Sequence, residues 1–399
     1  MPLPFNLKKQ DASRLLEFSK GIAILLIFLH HFARTIFYSR GEILPAVQQW
    51  NFDATGQGFG QLAAAVREGR FSDLWLQLFA QYGYVGVHLF VLLSGLGLAL
   101  GTGYSQKFGV FMKRRIRKIV PPFWTAVAFF AVMAAAVGQP YTIRFLFERL
   151  FLLTTFDQRN FFGFDTPLWC LAVFFQLYLL FLPVRWLIDR YGPRVILAMA
   201  AVSFIARWAM SAPAVLSWNA YFGHVFGLNW LGIFGLGVWI GCKIRREDEV
   251  SLPMRAVGGM ALAAGILLAL SERFAAFYPI HDTAVGIVTG AALLLAWSAL
   301  SRTHTATAFA LVGSVSFPLF LYHRPLLSLA IYLWHNGYLW SAMPPFMLCI
   351  FLVPTAVSVA VLMRQVLLLR PNIANMAFGE SLERFGLRSR ALALQQSGD

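Results

Sequence analysis

Residues Phe346–Met363 read FMLCIFLVPTAVSVAVLM, eighteen positions without one charged side chain. A helix needs roughly 20 mostly apolar residues to cross the hydrocarbon core of a bilayer. Three further stretches repeat the pattern: IAILLIFL at Ile22–Leu29, AVAFFAVMAAAV at Ala126–Val137, and AVGGMALAAGILLAL at Ala256–Leu270, with Arg255 at its edge. Of 399 residues, 58% are hydrophobic and 13% are charged, about half the charged share of soluble domains. A soluble globule of this length could not hide that much apolar surface. The expected fold is therefore an all-α polytopic bundle of transmembrane helices, with the lipid bilayer as its solvent.

Ten spans are expected, at 20–38, 80–102, 118–138, 168–187, 194–212, 225–243, 254–271, 282–300, 307–330 and 345–368. Length and loop chemistry decide them, because periodicity is weak inside a bilayer. Basic residues then orient the chain. With the amino terminus in the cytoplasm, the inner loops carry Lys107 and Lys113–Lys118, then Arg185, Arg190 and Arg194. Lys243, Arg245, Arg246, Arg255 and Arg302 follow, and Arg370, Arg384, Arg388 and Arg390 lie in the tail. The short outer loops 213–224 and 331–344 contain no Lys or Arg. The longer loops 39–79 and 139–167 do contain Arg, but long loops are weak orientation signals. Both termini are expected in the cytoplasm, which requires an even number of spans. Residues 1–370 form the membrane domain. The polar tail 371–399 is either free or a short amphipathic helix on the membrane surface.

The basic start Lys8, Lys9, Arg14 and Lys20 before an apolar run resembles a signal peptide. The run continues into His30, His31 and Arg34 without a small-residue cleavage site, so it reads as a retained first helix. The formal net charge of +15 would suggest nucleic acid in a soluble chain. Here the basic residues gather in short loops, as membrane orientation demands, and no nucleic acid is expected. Cys170, Cys242 and Cys349 lack the spacing of a metal site or a disulfide framework, and no metal is expected. No internal repeat is evident, which weighs against transporters built from paired halves.

Five stretches carry polar groups that could do chemistry. In the first, His31 lies about 16 Å along the helix from Lys20, near the middle of the bilayer, where an ionisable group marks function by default. Neutral imidazole can take a proton from a hydroxyl; a histidine hydrogen-bonded between helices is the plainer alternative. His30 points about 100° away on the same helix. The second is Lys113-Arg-Arg-Ile-Arg-Lys118, before Pro121-Pro122-Phe-Trp124. The prolines suit the start of a helix. The basic cluster serves either as a positive-inside anchor or as a grip on phosphate. The third is Gly313-Ser-Val-Ser-Phe-Pro-Leu-Phe-Leu-Tyr322-His323-Arg324-Pro325, a polar cluster near the outer face or a snorkelling helix end. The fourth, Tyr84-Val-Gly-Val-His-Leu-Phe-Val-Leu-Leu-Ser94-Gly95, also reads as close packing by small residues. The fifth, Trp169-Cys-Leu-Ala-Val-Phe174-Phe175-Gln176-Leu-Tyr178, offers polar tips for a cavity, although an interfacial position explains Trp169 almost as well.

In this order the five segments resemble acyltransferase family 3, multispanning membrane proteins that acylate surface polysaccharides, lipopolysaccharide and related glycans. Lys20 and His31 are similar to that family's basic residue and histidine separated by ten residues. Gly86–Gly95 resembles its Gly-Val-x-x-Phe…Ser-Gly segment, and Arg114–Trp124 its basic cluster before Pro-Pro-aromatic-Trp. Trp169–Tyr178 resembles its Trp-x-Leu…Gln-x-Tyr segment, and Gly313–Pro325 its Gly-x-x-Ser-Tyr…Tyr-Leu-x-His-x-Pro segment. The chain departs in three places: Lys20 stands where arginine is commoner, Phe174 and Phe175 where a glutamate is common, and Phe317 where tyrosine is usual.

The resemblance implies a membrane O-acyltransferase of the bacterial inner membrane, with acyl-coenzyme A, acetyl-CoA above all, as co-substrate and no tightly bound cofactor. Arg114, Arg115, Arg117 and Lys118 would hold its phosphates. His31 would be the base, with Lys20 and His30 beside it. Ser94, Trp169, Gln176, Tyr178, Tyr322 and His323 would line the cavity for a carbohydrate or glycolipid acceptor. Two other classes share these features: a secondary transporter or flippase, and a non-catalytic membrane subunit of a glycan-assembly system. The acceptor sugar, the acyl chain and the oligomeric state are not encoded in any of these motifs.

Overall fold

The computed structural model describes residues 5–41, 57–103, 106–136, 141–153, 168–214, 222–247, 249–338 and 343–368. These residues are overwhelmingly helical, as the apolar runs demand, since a helix satisfies every backbone group within its own segment where no water can. In chain order the helices are α1 (Ala12–Ser39), α2 (Gln57–Arg67), α3 (Leu74–Tyr82), α4 (Val85–Gly101), α5 (Phe108–Ala136) and α6 (Ile143–Leu150). They continue as α7 (Trp169–Tyr191), α8 (Arg194–Met210), α9 (Leu231–Arg246), α10 (Met254–Arg273), α11 (His281–Leu300), α12 (His304–Ser314), α13 (Ser316–His335) and α14 (Pro345–Leu368). Among the described residues seven helical segments are long and apolar enough to cross a membrane, or nine if each of two bent pairs is one span. The tail beyond Leu368 lies outside the described residues.

Three boundaries differ from the sequence expectation, each for a physical reason. The expected span 80–102 is a bent pair, with the helix ending at Tyr82 and α4 turning by 42° around Gly83 and Tyr84. The expected span 307–330 is another, α12 and α13, bent by 75° at Val315. The Pro121–Pro122 pair lies inside α5 rather than at its start. The two missing amide hydrogens free the carbonyls of Arg117 and Lys118, four residues back, but the helix runs through.

Helix α1 is the spine of the bundle. It meets α12 where Gly21 faces Gly313: a Cβ on Gly21 would lie 1.9 Å from the Phe309 carbonyl oxygen, and one on Gly313 would lie 1.8 Å from that of Glu17. Only glycine lets the two backbones meet there. The same device joins α4 to α9, where a Cβ on Gly237 would lie 2.0 Å from Leu92 O. Ile24, Ile27, Phe28 and Phe32 of α1 share one buried cluster with Phe123 of α5 and Leu319 of α13. At one end of α4 the last carbonyls accept from arginines of neighbouring helices. Arg185 Nη1 donates to Thr102 O at 2.9 Å and Gly103 O at 3.2 Å, and Arg245 also donates to Thr102 O. These cations satisfy orphan carbonyls and suit the negative end of the helix dipole.

Two four-residue strands, β1 (Phe5–Lys8) and β2 (Glu249–Leu252), pair antiparallel with Phe5 opposite Leu252 and Lys8 opposite Glu249. The amino terminus and the α9–α10 connection therefore lie on one side of the membrane, so an even number of crossings separates them. The spans α1, α3–α4, α5, α7 and α9 make five. Helix α8, with 17 residues, is at the lower limit for a crossing and would supply a sixth.

Candidate active site

The bend at Val315 lays α13 across the middle of α1 and brings two histidines together. His323 is completely buried. Its Nδ1 lies 2.8 Å from Phe320 O and 3.1 Å from Leu319 O. Carbonyls only accept, so this nitrogen carries the proton and Nε2 is left with a lone pair. That lone pair faces His31 Nδ1 at 3.1 Å. His31 Nδ1 also lies 3.0 Å from Ile27 O, and both neighbours are acceptors. His31 is therefore protonated on Nδ1 and presents an unprotonated Nε2. The side chain is half-buried. A neutral imidazole with a free Nε2, anchored behind by a second imidazole, is the arrangement a general base needs.

His30 has a different setting. Its Nδ1 lies 3.2 Å from Phe79 O on α3, and its ring stands edge-on to Tyr84, with centroids 6.4 Å apart. It too exposes an unprotonated Nε2, but a backbone carbonyl stands behind it, which cannot take up a proton. Lys20 pairs with Glu17 at 2.9 Å on its own helix and does not join the histidines. His323, expected near the outer face, instead lies level with His31.

The remaining predicted residues separate into groups. Tyr322 donates to Thr125 Oγ1 at 2.8 Å, and that hydroxyl donates to Pro122 O at 2.7 Å. This ties the wall beside His323 to the proline segment of α5. Ser94 donates to the Tyr178 hydroxyl at 3.4 Å, and the Tyr178 ring stacks on Phe174. Arg115 is half-buried over the Phe111 ring, 5.4 Å from its centroid, within electrostatic reach of Tyr178. Arg114 and Arg117 are exposed and Lys118 half-buried. Gln176 donates to Val225 O at 2.9 Å and accepts from Gly227 N at 2.7 Å, so its amide pins the segment before α9. Trp169 packs on Trp230.

A second buried polar cluster was not foreseen from sequence. Asp282, at the start of α11, accepts from His88 Nε2 at 2.9 Å and pairs with Arg207 of α8. Beside it, His281 donates from Nδ1 to Ser271 Oγ at 3.1 Å and accepts from the Tyr84 hydroxyl at 3.1 Å. Tyr84 packs against both His88 and His30, so this cluster adjoins the histidines of α1. Asp282 and Arg207 are charges within apolar spans, which alone could have flagged them. The pairing itself needed the fold.

Residues 15–363 match the acyltransferase domain of acyltransferase family 3, and the chain belongs to that family. It is a multi-pass membrane protein with an acyltransferase domain. No curated protein and no solved structure matches it.

Proposed function

We propose that the protein transfers an acyl group, acetyl in the first place, from acyl-coenzyme A in the cytoplasm to a hydroxyl of a surface carbohydrate or glycolipid. Its place would be the bacterial inner membrane. The reading is carried by the 3.1 Å contact between His31 and His323. His31 Nε2 would take the acceptor proton as the hydroxyl oxygen attacks the thioester carbonyl. The tetrahedral intermediate would collapse with cleavage of the C–S bond, and the imidazolium would return its proton to the leaving thiolate. While protonated, His31 would share its charge through Nδ1–H with His323 Nε2. His30 lacks such a partner, which favours His31 of the two.

The basic cluster of α5 supports the same reading. Lys118 and Thr125 are seven residues apart on one helix, about 10 Å, and Thr125 contacts Tyr322 beside His323. Phosphates held at the cluster would leave a pantetheine arm directed towards the histidines. The test is ester formation with thiol release from acetyl-CoA by the purified full-length protein. His31→Ala is expected to lose about 10²- to 10⁴-fold in kcat, His323→Ala to lose less, and His30→Ala least. Activity kept in His31→Ala and lost in His30→Ala would move the base one residue; activity kept in both would remove the mechanism.

A further inference from the structure

Arg324 follows His323 on α13, and its surroundings do not match its charge. Its guanidinium donates one hydrogen bond, from Nη1 to Thr35 Oγ1. Its Nε is buried with no hydrogen-bond partner among the described residues. None of the ion pairs among the described residues includes it. Arg207, buried in the bundle, has Asp282, and Arg185 has Asp189. Arg34 lies within electrostatic reach of Arg324, and both lie within reach of His31.

A guanidinium held in a membrane protein without a counter-charge is costly. The cost is relieved when an anion arrives, and the planar fork of arginine fits phosphate and carboxylate. The position says which anion. Thr35 lies four residues beyond His31, about 6 Å further along α1, away from Lys20 and the basic cluster of α5. The donor would come from the Lys20 end, so an anion at Arg324 lies on the acceptor's side of the base.

We propose that Arg324, with Arg34 beside it, is an anion subsite, and that the acceptor carries a phosphate or carboxylate close to the hydroxyl that is acylated. Only the identity of the occupant rests on the acyl-transfer reading; anion binding does not.

The test uses the purified full-length protein in detergent at constant ionic strength. Thermal unfolding is followed with glucuronic acid, glucose 1-phosphate, glucose and inorganic phosphate. Both acidic sugars should stabilise the wild type, glucose should not, and inorganic phosphate should bind more weakly than glucose 1-phosphate. Arg324→Gln should weaken the acidic sugars at least about tenfold, and Arg324→Lys, which keeps charge without the fork, should fall between. Without ligand, Arg324→Met should melt no lower than the wild type, because it removes an uncompensated charge. A wild type indifferent to both acidic sugars would overturn the proposal. So would an undiminished response in Arg324→Gln, inorganic phosphate binding as tightly as the sugar phosphate, or a clearly lower melting temperature for Arg324→Met. Acyl transfer to the same sugars separates the two readings. Acid-specific stabilisation without any transfer leaves the subsite and removes the acyl-transfer reading. Transfer with equal kcat/KM to glucose and glucuronic acid does the reverse.

Discussion

Asp282 and Arg324 are single charges inside the bundle, kept under opposite conditions. The Asp282 carboxylate accepts from His88 and pairs with Arg207, so three helices, α4, α8 and α11, meet on one negative charge. Removing it would strand a buried guanidinium. Asp282→Ala is expected to lower the unfolding free energy by about 3–5 kcal/mol, read as loss of melting temperature in detergent. Asp282→Ala folding as stably as the wild type would show that the carboxylate is not the tie between those helices. At His31 and His323 the argument concerns proton position. Each Nδ1 faces acceptors and each Nε2 is a lone pair, so polarity runs one way from the Phe320 carbonyl to the open nitrogen of His31. Depth marked the His30–His31 pair in the sequence, and the family resemblance, through the ten-residue spacing from Lys20, singled out His31 of the two. That His323 stands behind it could not be read there, because 292 residues separate the two.

Under the proposed function, helix α5 would join two tasks on one rod. Its first turns carry Lys113–Lys118, and its middle carries Pro121 and Pro122, after which Thr125 reaches Tyr322. In the cluster Arg114 and Arg117 lie in the open and Arg115 is turned onto Phe111. Replacing Arg114 and Arg117 with Ala is expected to weaken acyl-CoA binding about tenfold or more per lost charge-assisted contact. The loss should shrink at high salt, where exposed charges are screened. Unchanged donor affinity in a folded double variant would reduce the cluster to a topology signal. The bends of α3–α4 and α12–α13 have a related logic. The α12–α13 pair seats Gly313 on Glu17 before its 75° turn at Val315 and carries His323 to His31 after it.

The topology follows from charge and from pairing together. Basic short loops make a cytoplasmic amino terminus the expectation, and the β1–β2 ribbon puts the α9–α10 connection on the same side as the amino-terminal strand. Among the described residues seven helical segments, or nine with each bent pair as one span, are long and apolar enough to cross; the expected ten would need the 17-residue α8 as well. Cysteine-accessibility labelling is expected to place residue 110 inside and residue 150 outside, with both termini on the inner side. Labelling of 110 and 150 from the same side would break this arrangement.

The sequence by itself determined the solvent, the helical class and most spans. Runs of uncharged residues long enough to cross hydrocarbon leave the backbone no other way to satisfy its hydrogen bonds. It also marked His31 and the basic stretch of α5, because an ionisable group at depth and a dense cationic run stand out against an apolar background. Only the tertiary structure decided which polar groups face one another. His31 meets His323, Asp282 meets His88 and Arg207, and Arg324 meets no carboxylate among the described residues. Each of these depends on how helices far apart in sequence cross. The crossings are set by glycine contacts and by bends at Gly83 and Val315, features whose consequences no local pattern of residues can express.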